Sequence, residues 1–101
     1  MNKLEKLLKE QQEFSDKAFG TPEIRNESGA LHHLRLEINE LIENPDDTSE
    51  WADCLLLLID AARRKGFTFD RLVDFALEKI EINKNRSWKL ADNGVYLHIK
   101  D

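Results

Sequence analysis

The sequence predicts an all-α protein: a four-helix bundle with a short irregular C-terminal tail. Three observations carry this expectation. Apolar residues recur at three- and four-residue spacing along most of the chain. Four glycines and two prolines in 101 residues leave little room for a turn-rich all-β fold. Several of them also punctuate the periodic stretches, at Gly20, Pro45 and Gly66. The length suits a single domain, residues 1–101, with one modest core.

The first helix is expected over residues 2–18, where Leu4, Leu7, Leu8, Phe14 and Ala18 make a rough stripe among charges. Gly20 ends it, and Thr21-Pro22 signals a new start. From Pro22 to Gly29 the chain reads as either a short helix or a loop. The second long helix is expected from Ser28 or Ala30 to Asn44, where Pro45 stops it because its ring clashes with the preceding turn. Leu31, Leu34, Ile38, Leu41 and Ile42 fall on one arc of that helix, and His33, Glu37, Glu40 and Asn44 on the adjacent one. Arg35, Asn39 and Glu43 face water. Glu37 and Glu40 are thus flanked by apolar positions rather than set opposite them.

The third helix is expected from near Asp47 to near Lys65, with Gly66 just past its end. Its interior, CLLLLIDAA, is apolar nearly all round, the pattern of a buried central helix. Asp53 and Asp60 share a face beside Leu56 and Leu57, where a carboxylate is costly unless paired or bound to metal. The fourth helix is expected from Phe69 to about Arg86, with Thr68 as N-cap and Phe67 and Leu72 packing across that cap. Leu72, Phe75, Ala76 and Ile82 mark its inner face, which also carries Lys79, Asn83 and Arg86. Two cations and an amide facing inward require an anionic partner. Asp92-Asn93-Gly94 is a turn signal, and Val95 to Lys100 is either a short strand or an extended tail.

A formal net charge of −5 argues against a nucleic-acid backbone as the main partner. It does not exclude a phosphate ligand, because a bound metal inverts the local sign. Cys54 is the single cysteine, so no internal disulfide forms, and its apolar surroundings suit a small hydrophobe. No stretch approaches the roughly 20 apolar residues of a membrane span. The opening MNKLEKLLKEQQE is too charged for a signal peptide, and a cytosolic protein is expected.

The chemistry concentrates in EINELIENPDDTSEWAD, residues 37–53. Glu37 and Glu40 are three apart, as are Glu50 and Asp53, so each pair shares a helix face. A short turn makes the two helices antiparallel, and four carboxylates can then converge. Such a group needs a compensating cation, and hard oxygen ligands at this density suit Mg²⁺ or Mn²⁺. Each member has a plainer explanation. Glu50 fits a capping box with Asp47 as well as it fits metal ligation. An isolated E-x-x-E is commonly solvated surface. His33 either touches the acidic arc or the substrate, or is a partly buried polar residue at a helix end, and the second is favoured. Trp51 and Trp88 could stack on a base, but Trp51 points roughly opposite Asp53 and better suits packing or a subunit contact; Phe14 and Phe19 are more often core than base platform. Asp60 either supports the site from outside or pairs with Arg63 or Arg64. The combination exceeds what a plain bundle requires: two acidic pairs on consecutive helices, and an inward Lys-Asn-Arg stripe. No Gly-rich phosphate loop and no nucleophile motif occur. What remains is equipment for hydrolysing a phosphoanhydride with a metal-activated water.

E-I-N-E, E-W-A-D and K-x-x-x-N-x-x-R together resemble the MazG-like all-α nucleotide pyrophosphohydrolases. HLRLEINELIENPDDTSEWAD and KIEINKNRSW are more similar still to the branch of dATP/dGTP pyrophosphohydrolases found in phages and prophages. The resemblance covers residues 33–88, and the gap between the acidic pairs is short against the general MazG pattern but suits this branch. It implies a Mg²⁺-dependent enzyme, with Mn²⁺ as the other candidate ion. The reaction would cleave a (deoxy)nucleoside triphosphate, dATP or dGTP by branch, to the monophosphate and pyrophosphate. Glu37, Glu40, Glu50 and Asp53 would be the metal ligands, and Glu37 or Glu50 would orient or deprotonate the attacking water. Lys79, Asn83 and Arg86 would contact the phosphates, with His33 and Asp60 as outer supports. The family also implies a homodimer or a dimer of dimers. The alternative is a non-catalytic module on the same fold that senses nucleotide or binds another protein.

Overall fold

In the computed structural model, which describes residues 1–99, four α-helices precede a short β-hairpin. The helices are α1 (Lys3–Phe19), α2 (Ser28–Glu43), α3 (Thr48–Lys65) and α4 (Phe69–Lys84). The all-α expectation holds, and each helix lies where the apolar periodicity puts it. The tail is more regular than expected. Strands β1 (Trp88–Leu90) and β2 (Tyr96–His98) pair antiparallel, with Trp88 opposite His98 and Leu90 opposite Tyr96. The Asp92-Asn93-Gly94 turn closes them, with Gly94 at φ 82°, a conformation that favours glycine.

The helix ends follow the local chemistry. Asn2 caps α1 by accepting from the Glu5 amide at 2.8 Å, and its side-chain amide donates to Glu5 Oε1 at 2.9 Å. Gly66, at φ 107°, ends α3 in a Schellman arrangement. Its amide donates to Arg63 O at 3.0 Å, and that of Phe67 to Ala62 O at 2.9 Å. Residues 22–29 resolve mostly as a loop, with Arg25 N donating to Thr21 O at 2.9 Å. Asn26 Oδ1 accepts from Ser28 N at the start of α2.

By its packing the chain divides into two compact units, Met1–Phe69 and Asp70 onward. In the first, α2 and α3 form an antiparallel helical hairpin, with α1 laid against α3. Ala30, Ile59 and Ala61 are buried. The expectation that α3 is buried all round is only partly met, since Leu55 is 49% exposed and Leu58 46%. Small residues, Ala61 above all, let α3 approach its neighbours, while these leucines stay on the open side.

A buried polar knot ties α1 to α3. Ser15 Oγ donates to Asp60 Oδ2 at 2.8 Å, and Arg64 Nε donates to the same oxygen at 2.9 Å. Arg64 also donates to Ser15 Oγ and to the carbonyl of Arg25, anchoring the 20–27 loop. Arg63 bridges Asp60 Oδ1 and Asp16 Oδ1. Burial alone would raise the Asp60 pKa. Hydrogen bonds from Arg64, Ser15 and Arg63 overcome it and hold the carboxyl below its ordinary value.

In the second unit, α4 exposes most of its side chains. Arg71 lies over the Phe75 ring at 5.3 Å from its centroid. The helix stops at Lys84, before the expected end near Arg86. The chain stays wound beyond that point, through bonds from Asn85 N to Ile82 O and from Arg86 N to Asn83 O. Trp88 Nε1 donates to Asn83 O at 3.0 Å and fixes the start of the hairpin.

Candidate active site

The α2–α3 turn is only residues 44–47. Asp47 N donates to Asn44 O at 3.2 Å, and Trp51 Nε1 reaches back to Pro45 O at 2.8 Å. Trp51 is 58% exposed and clamps the turn. Asp47 caps α3 by accepting from Ser49 N at 3.0 Å and Ser49 Oγ at 2.6 Å. These bonds hold its carboxyl below the usual range. Glu50 does not complete the capping box: its Oε2 is buried and has no hydrogen-bond partner.

Glu50 meets Glu37 and Glu40. One carboxylate oxygen from each of Glu37, Glu40 and Glu50 lies within 4.8 Å of the others. Glu37 sits half-buried on α2, with 15% of its side chain exposed, and Glu40 is exposed one turn on. Mutual repulsion splits their titration. A hydrogen bond with Glu37, then burial, then the charges of Glu37, Glu40 and Asp47 push Glu50 up to about 7. Glu37 is lowered, first by that same bond to Glu50 and also by Glu40 and His33. His33, one turn earlier on α2, places Nε2 at 3.1 Å from Glu37 Oε1, with its ring N–H donating.

Asp53 stands outside this group of three. It is exposed, not buried as its apolar neighbours suggest, and lines a recess beside the acids. Asp60 has committed both oxygens to the polar knot, which matches pairing with Arg63 and Arg64. Cys54 lies close enough to the carboxylates that burial first, then the charges of Glu37, Glu50 and Asp53, raise its thiol pKa. On α4, Lys79 is exposed, while Asn83 and Arg86 are half-buried, with Asn83 Oδ1 lacking a partner.

Two adjoining recesses of about 210 and 180 Å³ open between α1 and the α2–α3 hairpin, sharing Gln11, Phe19, His33 and Leu57. Phe14 and Phe19 meet edge to face at 5.8 Å and are 59% and 49% exposed. The sequence pattern favours the core for these rings, so it did not reveal the recess.

The family model of the dATP/dGTP pyrophosphohydrolases matches residues 7–101. The chain belongs to this family. A dATP/dGTP diphosphohydrolase of Cyanophage S-2L is 38% identical over 77 residues, which are 74% of this chain and 70% of that protein. The Eaa protein of Salmonella phage P22 is 41% identical over 98 residues. The match takes in 96% of this chain but only 30% of the P22 protein. Among solved structures, the Cyanophage S-2L MazG-like pyrophosphohydrolase superposes with a TM-score of 0.79 at 31% identity, over 99% of this chain and all of that one. That structure is described as bound to dGDP and three catalytic Mn²⁺ ions per active site. The dATP/dGTP pyrophosphohydrolase fold is therefore the MazG-like fold seen in this chain.

Proposed function

We propose that this dATP/dGTP pyrophosphohydrolase family member hydrolyses a purine deoxynucleoside triphosphate to the monophosphate and pyrophosphate, using Mg²⁺ or Mn²⁺. The observation that carries the reading is the convergence of Glu37, Glu40 and Glu50, with a buried, unpartnered Glu50 oxygen among them. The donor set fits a hard divalent ion: oxygen-only and anionic, with the Glu50 carboxyl raised by its interaction with Glu37, by burial and by the neighbouring carboxylates. The catalytic Mn²⁺ of the cyanophage structure supports the same choice of ion.

Glu37, Glu40 and Glu50 hold the ions, and Asp53, one turn beyond Glu50, completes the ligand set. Divalent cations held there supply charge neutralisation and Lewis acidity to the triphosphate. Glu37 or Glu50 accepts the proton of the attacking water, whose oxygen bonds to phosphorus. The α–β phosphoanhydride bond breaks, and its electron pair leaves with pyrophosphate. Lys79, Asn83 and Arg86 bind the phosphates and take up the charge that develops on the leaving group. His33 positions Glu37.

The protein acts without nucleic acid and in the cytoplasm. Among the described residues no helix is long and apolar enough to cross a membrane. The open leucines of α3, Leu55 and Leu58, support a homodimer or a dimer of dimers. The deciding experiment is a panel of dNTPs and NTPs with Mg²⁺ or Mn²⁺ and identification of products. Monophosphate and pyrophosphate from dATP or dGTP are expected, and a failure to release pyrophosphate from any of them would refute the proposal.

A further inference from the structure

We infer that Arg25 reads the purine edge of the substrate and favours a 6-oxo base, guanine, over the 6-amino base adenine; this rests on the function proposed above. The observations lie along one side of α2. Gly29, His33 and Glu37 follow at four-residue intervals, with Glu40 just beyond, and so form one stripe. The recess lies at the Gly29–His33 end and the carboxylates at the other, with His33 bridging them through its bond to Glu37. From Gly29 to Glu37 is about 12 Å along the helix axis. That is about the length of a nucleoside monophosphate, so phosphates at the carboxylates put the base in the recess.

The recess has the makings of a base site. Phe14 and Phe19 present exposed ring surface. Gln11 offers an amide and Arg25 a guanidinium, and neither side chain has a hydrogen-bond partner among the described residues. The Arg25 carbonyl is pinned by Arg64 at 2.9 Å, which fixes where its side chain starts. Its guanidinium then lies over the first turn of α2, in space that exists because residue 29 is glycine. A Cβ there would come within 2.5 Å of Nη2, 3.0 Å of Nε and 3.1 Å of Cζ. Guanidinium only donates hydrogen bonds. Guanine presents two adjacent acceptors, O6 and N7, which an arginine fork matches. Adenine presents N7 beside an amino group that repels a donor. A pyrimidine has no second acceptor in that position.

The test compares kcat/KM for dGTP, dATP, dITP and 7-deaza-dGTP in the wild-type chain, Arg25→Gln and Gly29→Ala. dITP keeps O6 and N7, and 7-deaza-dGTP loses N7. The wild-type chain should treat dITP like dGTP and lose about tenfold on 7-deaza-dGTP. Arg25→Gln should lower the dGTP:dATP ratio about tenfold. Gly29→Ala should do the same while keeping or raising the melting temperature, since alanine is the better helix former. Unchanged ratios in both variants, with dGTP still hydrolysed, would overturn this inference and leave the proposed function standing. If no triphosphate is hydrolysed, the proposed function fails instead. Equilibrium binding of dGMP against dAMP to the wild type and Arg25→Gln then decides the inference by the same ratio.

Discussion

Glu37 and Glu50 face each other across the α2–α3 turn with carboxylate oxygens within 4.8 Å, and their interaction lowers one carboxyl and raises the other. In the metal-free protein Glu50 keeps a proton up to about pH 7, which an unfolded chain releases near 4.5. The sign follows from linkage. A raised carboxyl stabilises the fold fully below the unfolded value, and that contribution is lost as pH rises through 7. Glu37, being lowered, acts the other way, and its contribution is lost only as pH falls below 4.5. Between pH 5 and 8 the melting temperature in chelator should therefore fall. Glu50→Gln should flatten the profile, and so should saturating Mn²⁺. A wild-type profile with no slope in that window would contradict the raised Glu50 carboxyl.

Removal of single acids separates the ligands from their neighbours. Glu40→Gln and Asp53→Asn should each abolish turnover while leaving the circular dichroism spectrum intact. Mn²⁺ titration of the metal-free variants should show weakened binding. Full activity in Asp53→Asn would confine the ligand set to the three converged glutamates.

His33 holds one of those glutamates without needing to touch the ion. His33→Ala should weaken Mn²⁺ binding by roughly tenfold to a hundredfold, the usual cost of losing a partner that orients a ligand. His33→Gln, which keeps a donor near Glu37 Oε1, should recover part of the loss. Equal affinity in all three proteins would show that Glu37 is oriented by its helix alone.

The polar knot is a matter of stability rather than of turnover. Arg64→Met leaves the Asp60 charge buried with one fewer cation and should cost roughly 3 kcal/mol in denaturant unfolding. Ser15→Ala removes a neutral donor and should cost about 1–2 kcal/mol. A loss below 1 kcal/mol for Arg64→Met would mean that Arg63 alone satisfies Asp60.

Lys79 and Arg86 of α4 bear on the leaving group of the proposed reaction. Lys79→Ala and Arg86→Ala should lower kcat more than they raise KM, because charge on pyrophosphate grows toward the transition state. Steady-state kinetics with dGTP and dATP would check this, and a change confined to KM would restrict these residues to ground-state binding.

Local signals made most of the helices legible before any coordinates. Gly66 after three basic residues and Pro45 after an amphipathic run are decisive within a few residues of chain. The E-x-x-E and E-x-x-D spacings likewise place carboxylates on faces. Contacts distant in sequence were hidden. Asp60 could be matched to Arg63 and Arg64 by helical spacing, but its third partner, Ser15, lies 45 positions away. Asp53 looked buried because its sequence neighbours are leucines, yet the face it occupies is open. The hairpin of residues 88–98 has strands of three residues, too few for alternation to register. The recess depends on where α1 lies against α3, which no single stretch specifies.

The turn of residues 44–47 carries a consequence for the order of assembly. All three converged carboxylates belong to one helical hairpin, with no more than 13 positions between Glu37 and Glu50. Contacts this close along the chain form with little loss of loop entropy and rank among the early events of folding. The carboxylate cluster is thus a product of nucleation rather than of final docking, and its three members are gathered before the α1 knot closes.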